Sequence, residues 1–251
     1  MKKYNIIFSP TGGTEKVADA IIKNWDEAHV INLCDPRMDF SKIVLAEDDL
    51  AVISMPSFGG VAPQLALERL AEIKANACKS AIVAVYGNRA YEDTLIQMED
   101  YAVSAGFRVI AASGAIAEHS ILRQFAAGRP DAGDVEKLAD FGSRILDKAM
   151  TDDVATPEIP GERPYKQSRT LMVPKATRRC KGCGVCAMEC PAGAIPADNP
   201  KTTDKEKCIS CMRCVSVCPS HSRKVNRLML VAAGRKLKKV CSDRKECEFY
   251  L

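Results

Sequence analysis

Short apolar runs alternate with amphipathic stretches along the first 150 residues of this chain. The apolar runs have the length and β-branched content of buried strands, and the stretches between them repeat apolar positions at helical spacing. The predicted strands are residues 4–8, 29–33, 50–55, 80–86 and 108–112. The predicted helices are residues 14–24, 63–74, 91–104 and 134–150. This alternation predicts an α/β fold with a doubly wound, five-stranded parallel sheet.

The pattern changes after residue 150. Residues 151–175 are rich in proline and charged residues, which is typical of an extended linker. Residues 176–222 contain most of the cysteines and predict a small α+β domain. Residues 223–251 form a basic C-terminal segment, and a helix predicted over 222–240 is expected to pack the small domain against the large one. The chain is therefore divided into 1–150, 151–175, 176–222 and 223–251.

The small domain contains two copies of the cysteine pattern C-x2-C-x2-C-x3-C-P. This is the spacing of bacterial ferredoxins that carry two [4Fe-4S] clusters, in which three cysteines of one copy wrap a cluster and the other copy supplies the fourth ligand. One cluster is therefore assigned to Cys180, Cys183, Cys186 and Cys218. The other is assigned to Cys208, Cys211, Cys214 and Cys190.

The residues between the ligands differ in the two copies. Gly182 and Gly184 allow a left-handed backbone or a close approach to the cluster in the first copy. The second copy has Ser210 and Met212 instead, so its backbone is expected to be less free. Arg213 would place a positive charge beside the second cluster and raise its potential.

Other uses of the cysteines fit less well. Zinc would take four cysteines as two pairs and would leave the middle cysteine and the proline of each copy without a role. A disulfide framework is typical of short secreted chains. Four cysteines, Cys34, Cys78, Cys241 and Cys247, lack a partner pattern and are interpreted as non-ligands.

The large domain has a candidate anion site directly after its first predicted strand. Residues 9–14 read Ser-Pro-Thr-Gly-Gly-Thr, and hydroxyls, glycines and a helix N-terminus together suit a terminal phosphate. The loop has no lysine of the Walker type, and the chain has no G-x-G-x-x-G, so neither a nucleoside triphosphate nor a dinucleotide is indicated.

Two further loops follow the third and fourth predicted strands. Residues 56–60 and 87–93 each offer one aromatic ring, Phe58 or Tyr91, together with backbone polar groups. That combination suits the planar isoalloxazine ring of a flavin. Gly59 or Gly60 would allow a peptide flip toward the flavin N5.

At these residues the first 150 positions resemble flavodoxin, whose phosphate motif [ST]-x-T-G-x-T is matched by Ser9, Thr11, Gly12 and Thr14. The whole chain resembles the bacterial flavodoxin-ferredoxin fusion proteins of anaerobes, and this resemblance implies FMN and two [4Fe-4S] clusters. The only tryptophan, Trp25, falls on a predicted helix, so which ring stacks on the flavin stays open. The candidate FMN residues are Ser9, Thr11, Gly12, Gly13, Thr14, Pro56, Ser57, Phe58, Gly59, Gly60, Gly87, Asn88, Arg89, Tyr91 and Asp93.

A long connection follows the fifth predicted strand, and connections of this length are often functional. It contains His119, which is a candidate for tuning the flavin or for gating contact with a partner. A lone histidine is more often structural. Arg89 likewise has two interpretations, as a contact of the flavin or the neighbouring domain and as a solvated side chain.

Charge is distributed unevenly along the chain. Residues 1–162 have 16 Lys and Arg against 25 Asp and Glu, whereas residues 163–251 have 20 against 7. The basic surplus is expected to offset the negative clusters, to face the acidic half, or to dock an acidic redox partner, and these interpretations rank ahead of nucleic-acid binding. No signal peptide or transmembrane run is apparent, so a cytoplasmic protein without membrane contact is expected, in a low-oxygen setting.

The function that these features predict is intracellular electron transfer. The protein would link a low-potential donor such as ferredoxin to another redox protein, with all the chemistry in its cofactors, because no acid, base or nucleophile constellation stands out. One alternative is an FMN-dependent reductase of a small substrate that is fed through the clusters. Another is a redox sensor that binds nucleic acid, although no recognition motif supports it. The sequence does not predict an oligomeric state.

Overall fold

A computed structural model describes residues 1–151, 155–167 and 172–251. The strands are β1 (Lys3–Ile7), β2 (His29–Asn32), β3 (Leu50–Pro56), β4 (Lys79–Tyr86), β5 (Arg108–Ile116), β6 (Lys175–Ala176), β7 (Arg223–Lys224) and β8 (Glu248–Tyr250). The α-helices are α1 (Gly13–Ile21), α2 (Gln64–Ala71), α3 (Thr94–Ser104), α4 (Ala132–Ala149), α5 (Val185–Met188), α6 (Arg213–Ser216) and α7 (Arg227–Cys241).

The main sheet has the strand order β2-β1-β3-β4-β5-β8. Its first five strands are parallel, and the order 2-1-3-4-5 is that of the flavodoxin-like doubly wound fold. The predicted α/β class is therefore confirmed. The fifth strand is longer than predicted and continues to Ile116, because its residues beyond 112 are buried between both faces of the domain.

The two faces of the sheet are covered by different helices. Buried side chains of α2 and α3 form one core with the sheet, and those of α1 and α4 form the other. Gly142 on α4 lies against the backbone carbonyl of Ile21, where a β-carbon would collide with the oxygen. The absence of a side chain thus lets α4 pack closely beside α1.

Two helices begin at other residues than the apolar pattern predicts. The third helix was predicted from residue 91 but begins at Thr94, because residues 91–93 belong to the loop after β4. The fourth begins after Asp131, whose carboxylate accepts a hydrogen bond from the Asp134 N–H while the Asp134 carboxylate accepts one from the Asp131 N–H. This reciprocal pair satisfies N–H groups that a helix start leaves unpaired.

The small domain is a repeated unit closed by a short antiparallel ribbon, β6 with β7. The buried Arg223 on β7 donates hydrogen bonds to the carbonyls of Thr202 and Pro200 and to the Thr203 hydroxyl. Because residues 223–224 are in the ribbon, the basic helix α7 begins at Arg227 and not at residue 222 as predicted. The Asn226 side chain caps its first turn.

The end of the chain returns to the large domain and adds a sixth strand to the sheet. Strand β8 pairs antiparallel with β5, which corrects the prediction of five strands. Phe249 on β8 lies over Phe141 of α4, with ring centroids 4.8 Å apart. The C-terminal segment is therefore part of the large domain's fold and not a free tail.

None of the helices within residues 1–151, 155–167 and 172–251 combines the length and apolar character that crossing a bilayer requires. The predicted linker lies partly outside the described residues, since 152–154 and 168–171 are not among them. The described part, 155–167, runs along α3. The Arg163 side chain donates a hydrogen bond to Asp100, and the Asp93 carboxylate accepts hydrogen bonds from the N–H groups of Glu162 and Lys166.

Candidate functional site

The eight patterned cysteines line two separate cavities of the small domain. The outer cavity is lined by Cys180, Cys183, Cys186 and Cys218. The inner cavity is lined by Cys190, Cys208, Cys211 and Cys214. Each cavity thus takes three cysteines from one copy of the pattern and the fourth from the other copy, and this exchange ties the two copies together.

The two copies have the same backbone around their ligands. Gly182 and Gly184 are left-handed, with φ of 71° and 76°, and the equivalent Ser210 and Met212 are also left-handed, with φ of 54° and 63°. A residue with a β-carbon pays roughly 1–2 kcal/mol for that conformation. The second loop therefore keeps the shape of the first although its residues disfavour it.

Backbone N–H groups point at a sulfur in both copies. The Ala194 N–H donates to Cys190 Sγ over 3.3 Å, and the Ser222 N–H donates to Cys218 Sγ over 3.2 Å. Burial opposes ionisation of Cys218, but hydrogen bonds from the Ser220 hydroxyl and from the Ser222 N–H outweigh it and lower the pKa of this thiol. Hydrogen bonds to sulfur are among the features that set the potential of an iron–sulfur cluster.

Two thiols of the inner cavity, Cys190 and Cys214, are buried, and Cys208 and Cys211 are half-buried. Burial raises the pKa of Cys211 and of Cys214 to about 12, so iron binding there must displace protons from these thiols. In the described residues, no three His, Cys, Asp or Glu side chains converge on one point that would hold a single metal ion. The cysteines instead surround spaces, as ligands of a multi-iron cluster do.

The first loop of the large domain is an open cradle at the start of α1. Ser9 Oγ accepts from the Glu15 N–H, and the Gly12 carbonyl accepts from the Lys16 N–H. The N–H groups of residues 11–14 make no hydrogen bond within the described parts of the chain. Gly12 has φ of 86°, and a β-carbon on it would meet no atom within 4 Å. Free donors around an open space at a helix N-terminus fit a phosphate group.

The second and third loops are joined to each other. The Asp93 N–H donates to the Gly60 carbonyl over 2.9 Å, and the Thr94 hydroxyl donates to Ser57 Oγ over 2.8 Å. Phe58 is half-buried in a tight turn after Pro56, the last residue of β3. Gly59 in this turn is exposed and has φ of 70°.

The second aromatic candidate, Tyr91, is buried inside the large domain. Its ring is buried against Tyr86 and over Gly114, and its hydroxyl donates to Glu248 and contacts Tyr250 on β8. Burial and these two hydrogen bonds raise the pKa of Tyr91. The structure thus packs this ring inside the domain and leaves Phe58 as the aromatic side chain near the loop surface.

Two further candidates of the third loop contact the C-terminal segment. The Asn88 side chain donates to the carbonyls of Cys241 and Asp243, 2.9 and 2.8 Å away, and the Arg89 carbonyl accepts from the Lys245 ammonium group. Arg89 itself pairs with Glu92 over 2.7 Å. Nothing in the sequence pattern indicated that the end of the chain would hold this loop.

The two domains meet at the first loop. Arg213, which lines the inner cavity, pairs with Glu189 and donates to the Pro10 carbonyl over 3.3 Å. Arg69 on α2 donates to the carbonyls of Leu33 and Pro191, 2.6 and 2.8 Å away. The inner cavity is therefore the one that faces the large domain, on the side of the first loop. Sequence reasoning missed Arg69, because a single arginine on a helix gives no such signal.

The four remaining cysteines line neither cavity. Cys34 lies buried near the contact between the domains, and burial raises the pKa of its thiol to about 12. Cys78 is buried in the large core, Cys241 at the end of α7 packs with Leu122 and Phe125, and Cys247 packs against both cores.

His119 lies against Gly87 in the connection after β5, and its Nδ1 accepts from the N–H groups of Ile121 and Leu122. Burial lowers the pKa of its imidazole below 6.5. Because the unfolded chain binds a proton at His119 more readily than the folded protein does, the free energy of unfolding decreases as the pH falls through 6.5.

We expect His119→Asn, which keeps a hydrogen-bond acceptor, to make the free energy of unfolding decrease less between pH 7.5 and 5.5. Denaturant titrations of both proteins at the two pH values measure it, and an unchanged pH dependence would refute this role.

The strand order and the two cysteine-lined cavities define the class of this protein. It joins a flavodoxin-like α/β domain to an iron–sulfur domain of the ferredoxin type. Residues 179–222 match the family of the 4Fe-4S dicluster domain. A domain with the flavodoxin-like strand order therefore precedes a 4Fe-4S dicluster domain in this chain.

Individual proteins are similar to parts of the chain. A stretch of 41 residues is 49% identical to a component of the ion-translocating oxidoreductase complex of Methanosarcina acetivorans, and the match covers 16% of this chain and 16% of that protein. A flavodoxin from the domain Archaea has 16% identity and a TM-score of 0.43, over 60% of this chain and 100% of its own. The Fusobacterium nucleatum flavodoxin bound to flavin mononucleotide has 17% identity and a TM-score of 0.41, over 59% and 99%.

Proposed function

We propose that the large domain binds FMN at the carboxyl ends of β1, β3 and β4. The free N–H groups of residues 11–14, with the Ser9 and Thr14 side chains beside them, would hold the phosphate. The loops at 56–60 and 87–93 would hold the ring, with Phe58 as its aromatic neighbour. Because Thr94 and Asp93 tie these two loops together, the ring site has a fixed width.

The outer and inner cavities would each hold one [4Fe-4S] cluster on the four cysteines that line it. When bound, FMN supplies exchange of one or two electrons, and each cluster supplies exchange of one. The residues around the cavities donate N–H groups to sulfur. We infer that the protein is an electron carrier that connects a ferredoxin-type donor to another redox protein.

The contact between the inner cavity and the first loop is the observation that carries this proposal. Arg213 belongs to the lining of the inner cavity and also bonds Pro10 in the first loop. Ile209, on the same cysteine loop, packs against the large core. One side of the cluster domain thus lies against the end of the sheet where we propose the flavin, which is the arrangement that electron exchange between the two sites needs.

A substitution at Gly12 tests the phosphate site. A methyl group there would fill the open space in the cradle and strain a backbone that has φ of 86°. Gly12→Ala should weaken FMN binding at least tenfold and leave riboflavin binding nearly unchanged, since riboflavin has no phosphate. Fluorescence titration of the flavin-free protein with each ligand measures this difference.

Gly128→Ala is the matched control. Gly128 also has a left-handed backbone, with φ of 77°, and open space around its β-carbon position, but it lies in the connection before α4. It should bind both flavins as the parent does. Equal losses in the two variants, or equal affinity of the parent for FMN and riboflavin, would contradict the phosphate site.

A further inference from the structure

Helix α7 presents two different faces. Its inner face packs Leu230, Ala233 and Leu237 with Leu122 and Phe125 of the large domain, at the spacing of one helical stripe. Its outer face contacts no other part of the described chain through an ion pair. That face is therefore available for an interaction outside the molecule.

The outer face is strongly basic and partly apolar. Five cations lie on α7 and no acidic residue does, and none of the five forms an ion pair with a described residue. Exposed apolar side chains lie in the first half of the helix, where Leu228 is 79% exposed and Val231 is 45% exposed. The cations are Arg227, Arg235, Lys236, Lys238 and Lys239.

The first turn of α7 lies near the outer cavity. Arg223 lines that cavity, and α7 begins four residues later, a distance of at most about 14 Å along an extended chain. Cys183 of the outer cavity is exposed, and no atom lies within 4 Å of the β-carbon positions of Gly182 and Gly184. More exposed cations lie around it and pair with no described residue: Arg178, Arg179, Lys181 and Lys224.

We propose that the outer face of α7 and the rim of the outer cavity form one docking surface for an acidic redox protein, and that the outer cavity is the entry point for electrons. This inference rests on the proposed function. In the exchange, the partner is oxidised by one electron and this protein is reduced by one. Charge complementarity would steer the partner, and the exposed Leu228 would form the apolar centre of the contact.

Neutralisation of the clusters does not account for these cations. Arg213 lines the inner cavity, and Lys181 and Arg223 line the outer one, whereas no residue of α7 lines either. A membrane surface is also a poorer partner, because the continuous apolar stripe that would enter a bilayer is already packed against Leu122 and Phe125.

The test uses the holoprotein and a reduced acidic [2Fe-2S] ferredoxin as the probe. The variant Arg235→Gln, Lys236→Gln, Lys238→Gln, Lys239→Gln should accept electrons roughly tenfold more slowly at low ionic strength, and added salt should slow the parent far more than the variant. The control variant removes four exposed cations of the large domain: Lys2→Gln, Lys23→Gln, Lys74→Gln, Arg144→Gln. It should match the parent.

A small neutral reductant, the radical of photoreduced deazaflavin, separates this inference from the proposed function. All three proteins should be reduced by it at the same rate. If the three rates are equal, and the α7 variant also accepts electrons from ferredoxin as fast as the control variant does, the docking surface is refuted and the carrier function stands.

Sedimentation with vesicles of 3:1 phosphatidylcholine and phosphatidylglycerol should show no binding of the parent protein. Binding that the α7 variant loses would overturn the choice of a protein partner.

Discussion

Replacing Cys190 by serine should remove iron from the cavity that the other cysteine copy wraps. Cys190 belongs to the first copy in sequence, but it lines the inner cavity with Cys208, Cys211 and Cys214. The variant should therefore fall from about eight irons to about four and retain the spectrum of the outer site. Iron analysis of anaerobically reconstituted protein, together with EPR of the reduced state, measures both quantities.

Cys218→Ser should produce the reciprocal loss, because Cys218 belongs to the second copy but lines the outer cavity. Cys241→Ser is the control, since Cys241 is the buried last residue of α7 and lines neither cavity. If Cys190→Ser perturbed only the site wrapped by its own copy, the exchange of ligands between the copies would be wrong.

Removal of Asp134 should destabilise the large domain by about 3–5 kcal/mol, because the buried Arg129 guanidinium loses its buried partner and keeps only the partly exposed Asp131, 3.8 Å away. Asp134 is 1% exposed and pairs with Arg129, which is 6% exposed on its side chain. The same arginine donates to the Lys245 carbonyl, and Arg244 lies 3.5 Å from Asp134. Asp134→Ala should thus loosen the C-terminal segment together with the start of α4.

Denaturant unfolding followed by far-ultraviolet circular dichroism gives the change in free energy. Asp140→Ala on the same helix is the control, because Asp140 is exposed and forms no ion pair with a described residue. It should change stability by less than about 0.5 kcal/mol. Similar losses in the two variants would show that the buried pair adds nothing beyond the helix itself.

The parallel sheet and the cysteine sites could be predicted because their signals are local. Five apolar runs at regular spacing define five strands, and a ligand spacing repeated in two copies defines the cysteine sites. The position of the first loop between β1 and α1 could also be predicted from its hydroxyls and glycines, whereas its use as a phosphate site stays a prediction.

The C-terminal strand and the partners of Tyr91 could not be predicted in the same way. Strand β8 has only three residues, and its place beside β5 depends on contacts that are distant in sequence, such as those of Asn88 with residues 241 and 243. Tyr91 was a reasonable candidate for the flavin from its loop alone. The hydrogen bonds of its hydroxyl with Glu248 and Tyr250, far away in sequence, help to hold the ring inside the domain.

The central claim is that electrons pass between the cysteine-bound clusters and a flavin within one chain. The direct measurement is a laser-flash experiment on the anaerobic holoprotein, in which deazaflavin radicals deliver less than one electron per molecule and absorbance follows both chromophores. The account predicts that the clusters are reduced first and that flavin absorbance then bleaches at a rate independent of protein concentration. A flavin that stays oxidised, or that is reduced at a rate proportional to protein concentration, would contradict it.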